Sequence, residues 1–331
     1  MSESSLVDPF GRRIDYLRIS VTDRCDFRCT YCMDEDVTFL AKEHILSLEE
    51  IVTTARTFIK MGTKRIRITG GEPLVRKNIL WALEQIANTP GLEELTITTN
   101  GSMLKKLGQS LYDVGVSRLN VSLDTLIEDE FNRLTRRNKF KQVIEGIETI
   151  AALPFNKNKI NSVIMKNQND DQILPLAQFA LAHNMDISYI EEMPLGAITA
   201  HDRAESYMSS DDVIALLDNH YQLDKSASTT PGPTQYYNVK GEKGRIGVIS
   251  PHSHNFCSSC NRIRMTVEGR LLLCLGNEHS LDLKPYIRAT NDDQLTLEDA
   301  IIKALALKPE QHYFNLDEEP QILRFMSATG G

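Results

Sequence analysis

No apolar run in this 331-residue chain approaches the ~20 residues that a membrane-crossing helix needs. Met1 to Phe10 is short and polar, with no apolar signal core, so the expected location is the cytoplasm. Basic excess is missing too: the formal charge is −8, whereas a nucleic-acid binder usually carries a basic stripe. Neither nucleic acid nor membrane is an expected partner. No cysteine stands alone, because all six fall into two groups, Cys25/Cys29/Cys32 and Cys257/Cys260/Cys274. In a reducing cytosol such groups favour metal ligation over disulfides. What each group lacks is a fourth cysteine.

The first group reads Cys25-Asp26-Phe27-Arg28-Cys29-Thr30-Tyr31-Cys32, a C-x3-C-x2-C spacing that lets three sulfurs converge on one centre. Structural zinc usually takes four protein ligands, whereas a 4Fe–4S cluster held by three cysteines leaves one iron open. The second group is C-x2-C-x13-C. A hairpin turning at Glu268-Gly269 brings Cys274 back toward Cys257 and Cys260. By spacing alone this second site accommodates either another iron–sulfur cluster or zinc with His252, His254 or His279 as fourth ligand.

Between residues 16 and 192, strand-like runs alternate with helical patterns, the mark of a parallel sheet built from βα units. The predicted strands are Tyr16–Val21, Arg65–Thr69, Glu94–Thr99, Arg118–Leu123, Lys159–Ile164 and Ile187–Glu192. The predicted helices are Leu48–Met61, Ile79–Ala87, Met103–Val114, Phe140–Leu153 and Asp171–His183. Six such units suit an incomplete barrel better than a closed eight. Strands buried on both faces usually read as continuous apolar runs. Here Arg18/Ser20, Arg67/Thr69, Thr96/Thr98/Asn100 and Asn120/Ser122/Asp124 instead share one face, which predicts a wet, polar lumen for a charged ligand. From Asp224 to Gln235 the composition turns to Ser, Thr, Pro and Gly and reads as a linker. The chain thus divides into residues 1–223 and a smaller region, 224–331, with a strand at Arg245–Ile249 and a helix near Leu297–Leu307.

The first triplet, with Tyr31 before its last cysteine and with Gly70-Gly71-Glu72-Pro73 after the second strand, resembles the signature of radical S-adenosylmethionine (SAM) enzymes. Both triplets, Asp15-Tyr16-Leu17-Arg18-Ile19-Ser20, Thr98-Thr99-Asn100-Gly101, Asn120-Val121-Ser122-Leu123-Asp124 and the terminal Gly330-Gly331 together resemble the GTP 3′,8-cyclase family of molybdenum cofactor biosynthesis. The resemblance implies an α/β fold, an incomplete (β/α)6 TIM-like barrel with a C-terminal domain carrying a second 4Fe–4S cluster. It implies that Cys25, Cys29 and Cys32 hold the SAM-cleaving cluster and that Cys257, Cys260 and Cys274 hold the auxiliary one. Tyr31, Gly71, Ser122 and Met193 match SAM contacts; Arg18, Arg67, Thr98, Lys159, Arg262, Ile263 and Arg264 match GTP contacts. Arg18, Arg262, Arg264, Gly330 and Gly331 match positions acting in catalysis. Pro194 after Met193 and Thr329 before the terminal glycines depart from the family pattern. The implied partners are GTP, a one-electron donor of the flavodoxin or ferredoxin type and an enzyme making cyclic pyranopterin downstream, for a monomer or homodimer. Two other readings of the residues are a peptide-modifying radical SAM enzyme and a zinc-stabilised binding module.

Overall fold

The computed structural model describes residues 6–33, 35–196, 203–227, 232–289, 295–315, 322, 324, 329 and 330. Its core is a run of βα units: β1 Tyr16–Ser20, α1 Leu48–Lys60, β2 Arg65–Thr69, α2 Ile79–Ala87, β3 Glu94–Thr99, α3 Leu104–Asp113, β4 Arg118–Ser122, α4 Glu128–Thr135, α5 Phe140–Ala151, β5 Lys159–Ile164, α6 Ile173–Ala182 and β6 Asp186–Glu191. The six predicted strands are all present, with ends displaced by a residue at most. Helix α1 begins where Ser47 and Glu50 form a reciprocal capping box.

The C-terminal part continues through α7 Arg203–Ser206, α8 Ser210–Asp218, β7 Leu223–Lys225, β8 Gln235–Val239, β9 Arg245–Ile249, β10 Arg262–Met265, β11 Arg270–Leu272, β12 Ser280–Asp282, α9 Lys284–Ile287 and α10 Leu297–Leu305. These strands form no separate sheet. Among the described residues one twelve-stranded sheet has the order β12-β11-β10-β1-β2-β3-β4-β5-β6-β9-β8-β7. Strand β10 adds parallel to β1, and β9 adds parallel to β6. The antiparallel hairpins β10/β11 and β8/β9 then occupy the outer edges of those two strands. Their edge N–H and C=O groups are thereby paired, and the barrel stays open. The linker expected over 224–235 is bounded by β7 and β8, which pair Lys225 with Tyr237; residues 228–231 lie outside the described set.

Alternation along the strands divides the two faces. Leu17, Ile19, Ile66, Ile68, Leu95, Ile97, Leu119 and Val121 are buried against the helices. Full burial of such a side chain contributes about 1.5–3 kcal/mol. The opposite face of adjacent strands aligns Arg264, Arg18, Arg67 and Thr96 in one row of the register. Among the described residues no helix is long and apolar enough to cross a membrane.

Candidate active site

The cysteine loop after β1 is fixed from two sides. Arg28 N–H and Thr30 N–H donate to the Thr135 and Leu134 carbonyls at the end of α4, each at 3.0 Å. Gly71 N–H and Glu72 N–H donate to the Thr22 and Arg24 carbonyls at 2.7 and 2.8 Å. A Cβ at Gly70 would lie 2.6 Å from Thr22 O, and one at Gly71 would lie 2.5 Å from Arg24 O. The paired glycines are therefore required by backbone packed directly on the cysteine loop.

Glu72 ties this turn to the next strand, accepting from Leu74 N–H (3.0 Å), the Thr99 hydroxyl (2.8 Å) and Asn100 N–H (2.7 Å). Burial pushes its carboxyl up to about 7, above an ordinary value of 4.5, despite those donors. The folded chain thus holds an extra proton between about pH 4.5 and 7, and this group's ionisation costs stability as pH rises through that window. Thermal unfolding of the cluster-free Glu72→Gln chain should show a flatter fall in Tm across it; a slope equal to wild type assigns the pH dependence to other groups.

All six cysteines line one cavity, which Arg18, Arg67, Thr98, Ser122, Met193, Arg262, Ile263 and Arg264 also line. Burial pushes Cys25 up to about 12, with Glu72, Asp26 and Cys32 adding to it, and holds Cys29 well above the ordinary thiol range, with Cys32 and Cys25 adding to it. Deprotonating Cys25 and Cys29 is therefore favoured by positive charge placed beside their sulfurs. In the second triplet, burial raises Cys274 and opposes ionisation of Cys260, but the charges of Arg262 and Lys308 carry Cys260 down to about 7.

Among the described residues no three His, Cys, Asp or Glu side chains close on a single ion. A zinc at about 2.3 Å from each sulfur would gather three of them within roughly 4 Å. His252, His254 and His279 do not line the cavity. His252 Nε2 lies 3.0 Å from the Glu192 carbonyl, and His254 pairs with exposed Asp211. The three histidines that spacing offered as a fourth zinc ligand thus lie off this cavity, and three thiols fit a cluster with one open iron.

Buried Arg18 and Arg67 and half-buried Arg264 line the cavity with both triplets and take part in no ion pair among the described residues; Lys159, buried off the cavity lining, takes part in none either. By contrast Arg65 pairs with Asp15 at 2.7 Å, Arg118 with Glu94 at 3.0 Å and Arg245 with Asp186 at 2.7 Å. Burial, followed by repulsion from Arg264 and Arg67, holds Arg18 well below its ordinary value, and its Nε has no hydrogen-bond partner. Burial also depresses Lys159, with Arg67 adding to the effect, and brings Arg264 down to about 10.

The supports of these cations are neutral. The ring of Tyr16 lies 5.5 Å from the Arg67 guanidinium carbon, and with its amide oxygen turned inward Asn120 accepts from the two Arg67 Nη atoms at 2.9 and 3.0 Å. Lys159 meets Thr234 Oγ1 at 3.3 Å and does not line the cavity. Arg262 stacks on Phe256 at 5.0 Å with Nη2 3.9 Å from Cys260 Sγ.

Tyr31 donates to Asp124 at 2.5 Å, and burial raises the Asp124 carboxyl to about 6. Gly330 accepts from Arg264 Nη1 and sits so close to Thr69 that a Cβ would lie 1.9 Å from its hydroxyl. Gly331 lies outside the described residues. Motif reading missed Asp26, which accepts from Asn100, Lys139 and Ser102 at 2.7–2.8 Å beside Cys25, and missed His312 and Phe314 on the cavity wall. Asp26 sits inside the first motif, a signal that was available; His312 and Phe314 carry no comparable pattern.

An open barrel of parallel strands with three cysteines on the loop after its first strand defines a radical SAM protein, and the model of the radical SAM superfamily matches residues 19–180. SuiB of Streptococcus suis bound to S-adenosylmethionine shares the fold at 16% identity, with a TM-score of 0.63 over 90% of this chain and 67% of that one. The C-terminal part, residues 185–314, matches the family Molybdenum Cofactor Synthesis C. The chain is 55% identical to GTP 3′,8-cyclase of Pseudomonas entomophila over 99% of this chain and 98% of that protein. It is 53% identical to GTP 3′,8-cyclase of Pseudomonas fluorescens over the full length of both. The chain belongs to the GTP 3′,8-cyclase family. Its cofactors are SAM and two 4Fe–4S clusters, which the two thiol triplets fit.

Proposed function

We propose that this chain converts GTP into (8S)-3′,8-cyclo-7,8-dihydroguanosine 5′-triphosphate, the first step of molybdenum cofactor biosynthesis. The observation that carries the reading is the set of cations without carboxylate partners, Arg18, Arg67 and Arg264, that line one cavity with both thiol triplets. A triphosphate supplies the missing negative charge, and planar guanidinium groups bind its oxygens in pairs. When bound, the first cluster and SAM supply a 5′-deoxyadenosyl radical by one-electron cleavage.

Arg18, Arg67, Lys159 and Arg264 hold the triphosphate, which sets the ribose between the triplets. Thr98, whose hydroxyl has no partner in the structure, faces the same space. Tyr31, Gly71, Ser122 and Met193 hold SAM beside the first triplet. Cys257, Cys260 and Cys274 place the guanine end, so that C3′ and C8 meet after the 3′ hydrogen is removed. The protein's part is positioning and exclusion of side reactions. A one-electron donor of the flavodoxin or ferredoxin type and an enzyme consuming the cyclised nucleotide complete the setting.

Reduced, cluster-loaded chain incubated with SAM and 3′-deuterated GTP is expected to place the label in 5′-deoxyadenosine, one per GTP consumed. Unlabelled 5′-deoxyadenosine formed equally without GTP contradicts the reading.

The tail gives a second test. Gly330 has φ +77° and no room for a methyl group against Thr69. Gly330→Ala is expected to lower turnover by about tenfold or more, ~1.4 kcal/mol in the barrier, with Tm unchanged. Full activity in that variant removes Gly330 from the site.

A further inference from the structure

Beyond the loop that carries each triplet, the protein surrounds the second one with two buried cations of different character. Arg12 donates from Nη1 to the Cys257 carbonyl at 2.8 Å and to the Glu310 carbonyl at 2.6 Å, and from Nη2 to the Pro309 carbonyl at 2.6 Å. Its charge is matched, since Nε lies 2.5 Å from Asp8 Oδ2 and both side chains are almost fully buried. Arg12 is therefore a neutral clasp that fixes residues 309 and 310 against Cys257.

Lys308, the next residue along this clasped segment, is 3% exposed and appears in no ion pair among the described residues. Its Nζ lies 2.6 Å from the Leu273 carbonyl, 3.1 Å from the Arg262 carbonyl and 3.8 Å from Cys260 Sγ. Three acceptors match the three N–H donors of an ammonium. Each acceptor belongs to the triplet's own framework: Leu273 precedes Cys274, and Arg262 follows Cys260 by two residues. A buried charge without a partner is strongly disfavoured. Among the described residues the nearest group able to carry negative charge is the Cys260 sulfur, at 3.8 Å.

We infer that Lys308 is the counter-charge of the second triplet, positioning the Cys260 thiolate and making the cluster bound there easier to reduce. A cubane with three thiolates is net negative, and reduction deepens that charge. A cation fixed against one of its sulfurs in a low-dielectric surround therefore favours the reduced form. Lys308 is a positioning residue by this account, since it reaches substrate only through the cluster. The inference rests on the second triplet holding a 4Fe–4S cluster.

The test uses the full chain with Cys25, Cys29 and Cys32 changed to alanine, so that one cluster remains to be titrated. Iron and sulfide per chain and the midpoint potential by EPR-monitored titration are read for this parent and for Lys308→Met, Lys308→Gln and Lys308→Arg. At the parent's midpoint potential, the Met and Gln variants should show at least a tenfold lower ratio of reduced to oxidised cluster, a one-electron shift of 59 mV. The Arg variant should stay within threefold of the parent. Neutral variants that titrate with the parent overturn the inference, as does an Arg variant shifted as far as Met. If Met and Gln bind no iron while Arg does, the charge is needed for ligation and the inference stands. If Arg also binds none, side-chain shape and not charge decides, and it falls. A parent carrying zinc or no iron would remove the second cluster itself, which is a failure of the proposed function and distinguishable from all of these.

Discussion

Cys29→Ala is expected to abolish formation of 5′-deoxyadenosine, a loss of about 10⁴-fold or more in turnover, while iron falls only to about half of the wild-type content. The size follows from the role: the first cluster supplies the reducing electron, and nothing else in the cavity substitutes for it. The fold should survive. Cys29 contributes its carbonyl to the loop, accepting from Cys32 N–H at 3.0 Å and Met33 N–H at 3.2 Å, and an alanine keeps both bonds. Iron quantification, far-UV circular dichroism and product chromatography check the three parts together. Residual 5′-deoxyadenosine at a tenth of wild type would mean that the radical arises elsewhere.

Arg18→Met should raise the Kd for GTP about 100-fold and raise the Tm of the ligand-free chain. The two effects share one cause. In the empty site the Arg18 guanidinium is buried, faces Arg264 and Arg67, and has an unpartnered Nε, so removing it relieves desolvation and repulsion. In the proposed GTP complex the same group would make charge-assisted hydrogen bonds of about 1.5–3 kcal/mol, and each ~1.4 kcal/mol is tenfold. Sites of this kind trade stability for function. Isothermal titration calorimetry and thermal melts separate the cases: a variant that loses both affinity and stability would make Arg18 a structural residue.

Much of the site was legible because it is written locally. The C-x3-C-x2-C spacing, the glycine pair after β2 and the period-two polar face of β1 to β4 are short-range patterns, and each maps onto one loop or one strand face. Period-two alternation also led to Arg18 and Arg67 as inward-facing groups. What the pattern did not carry is pairing over long separations. Strands β9 and β10 read as elements of a separate region, yet their partners are β6 and β1, because an open sheet offers two edges and sequence spacing does not say which strand takes them.

Helix α4 was missed because it is only eight residues long and polar overall, with three acids in the first turn; only Phe131, Leu134 and Thr135 are buried. Yet its last carbonyls hold the first cysteine loop. Lys308 and Arg12 were invisible for a related reason. Their roles come from carbonyls that other segments bring to them, and no residue pattern near either one encodes that. The histidine alternatives for the second triplet looked reasonable by spacing and failed on direction, since His252 and His254 have other partners.

Anaerobic crystallography of the chain carrying both clusters, SAM and GTP is the most direct measurement. Each cluster should show three cysteine ligands and one iron free of protein side chains, with the triphosphate against Arg18, Arg67, Lys159 and Arg264 and the guanine toward Cys257, Cys260 and Cys274. A fourth protein side chain closing either cluster, or a triphosphate bound away from those cations, would contradict a nucleotide held between two open metal centres.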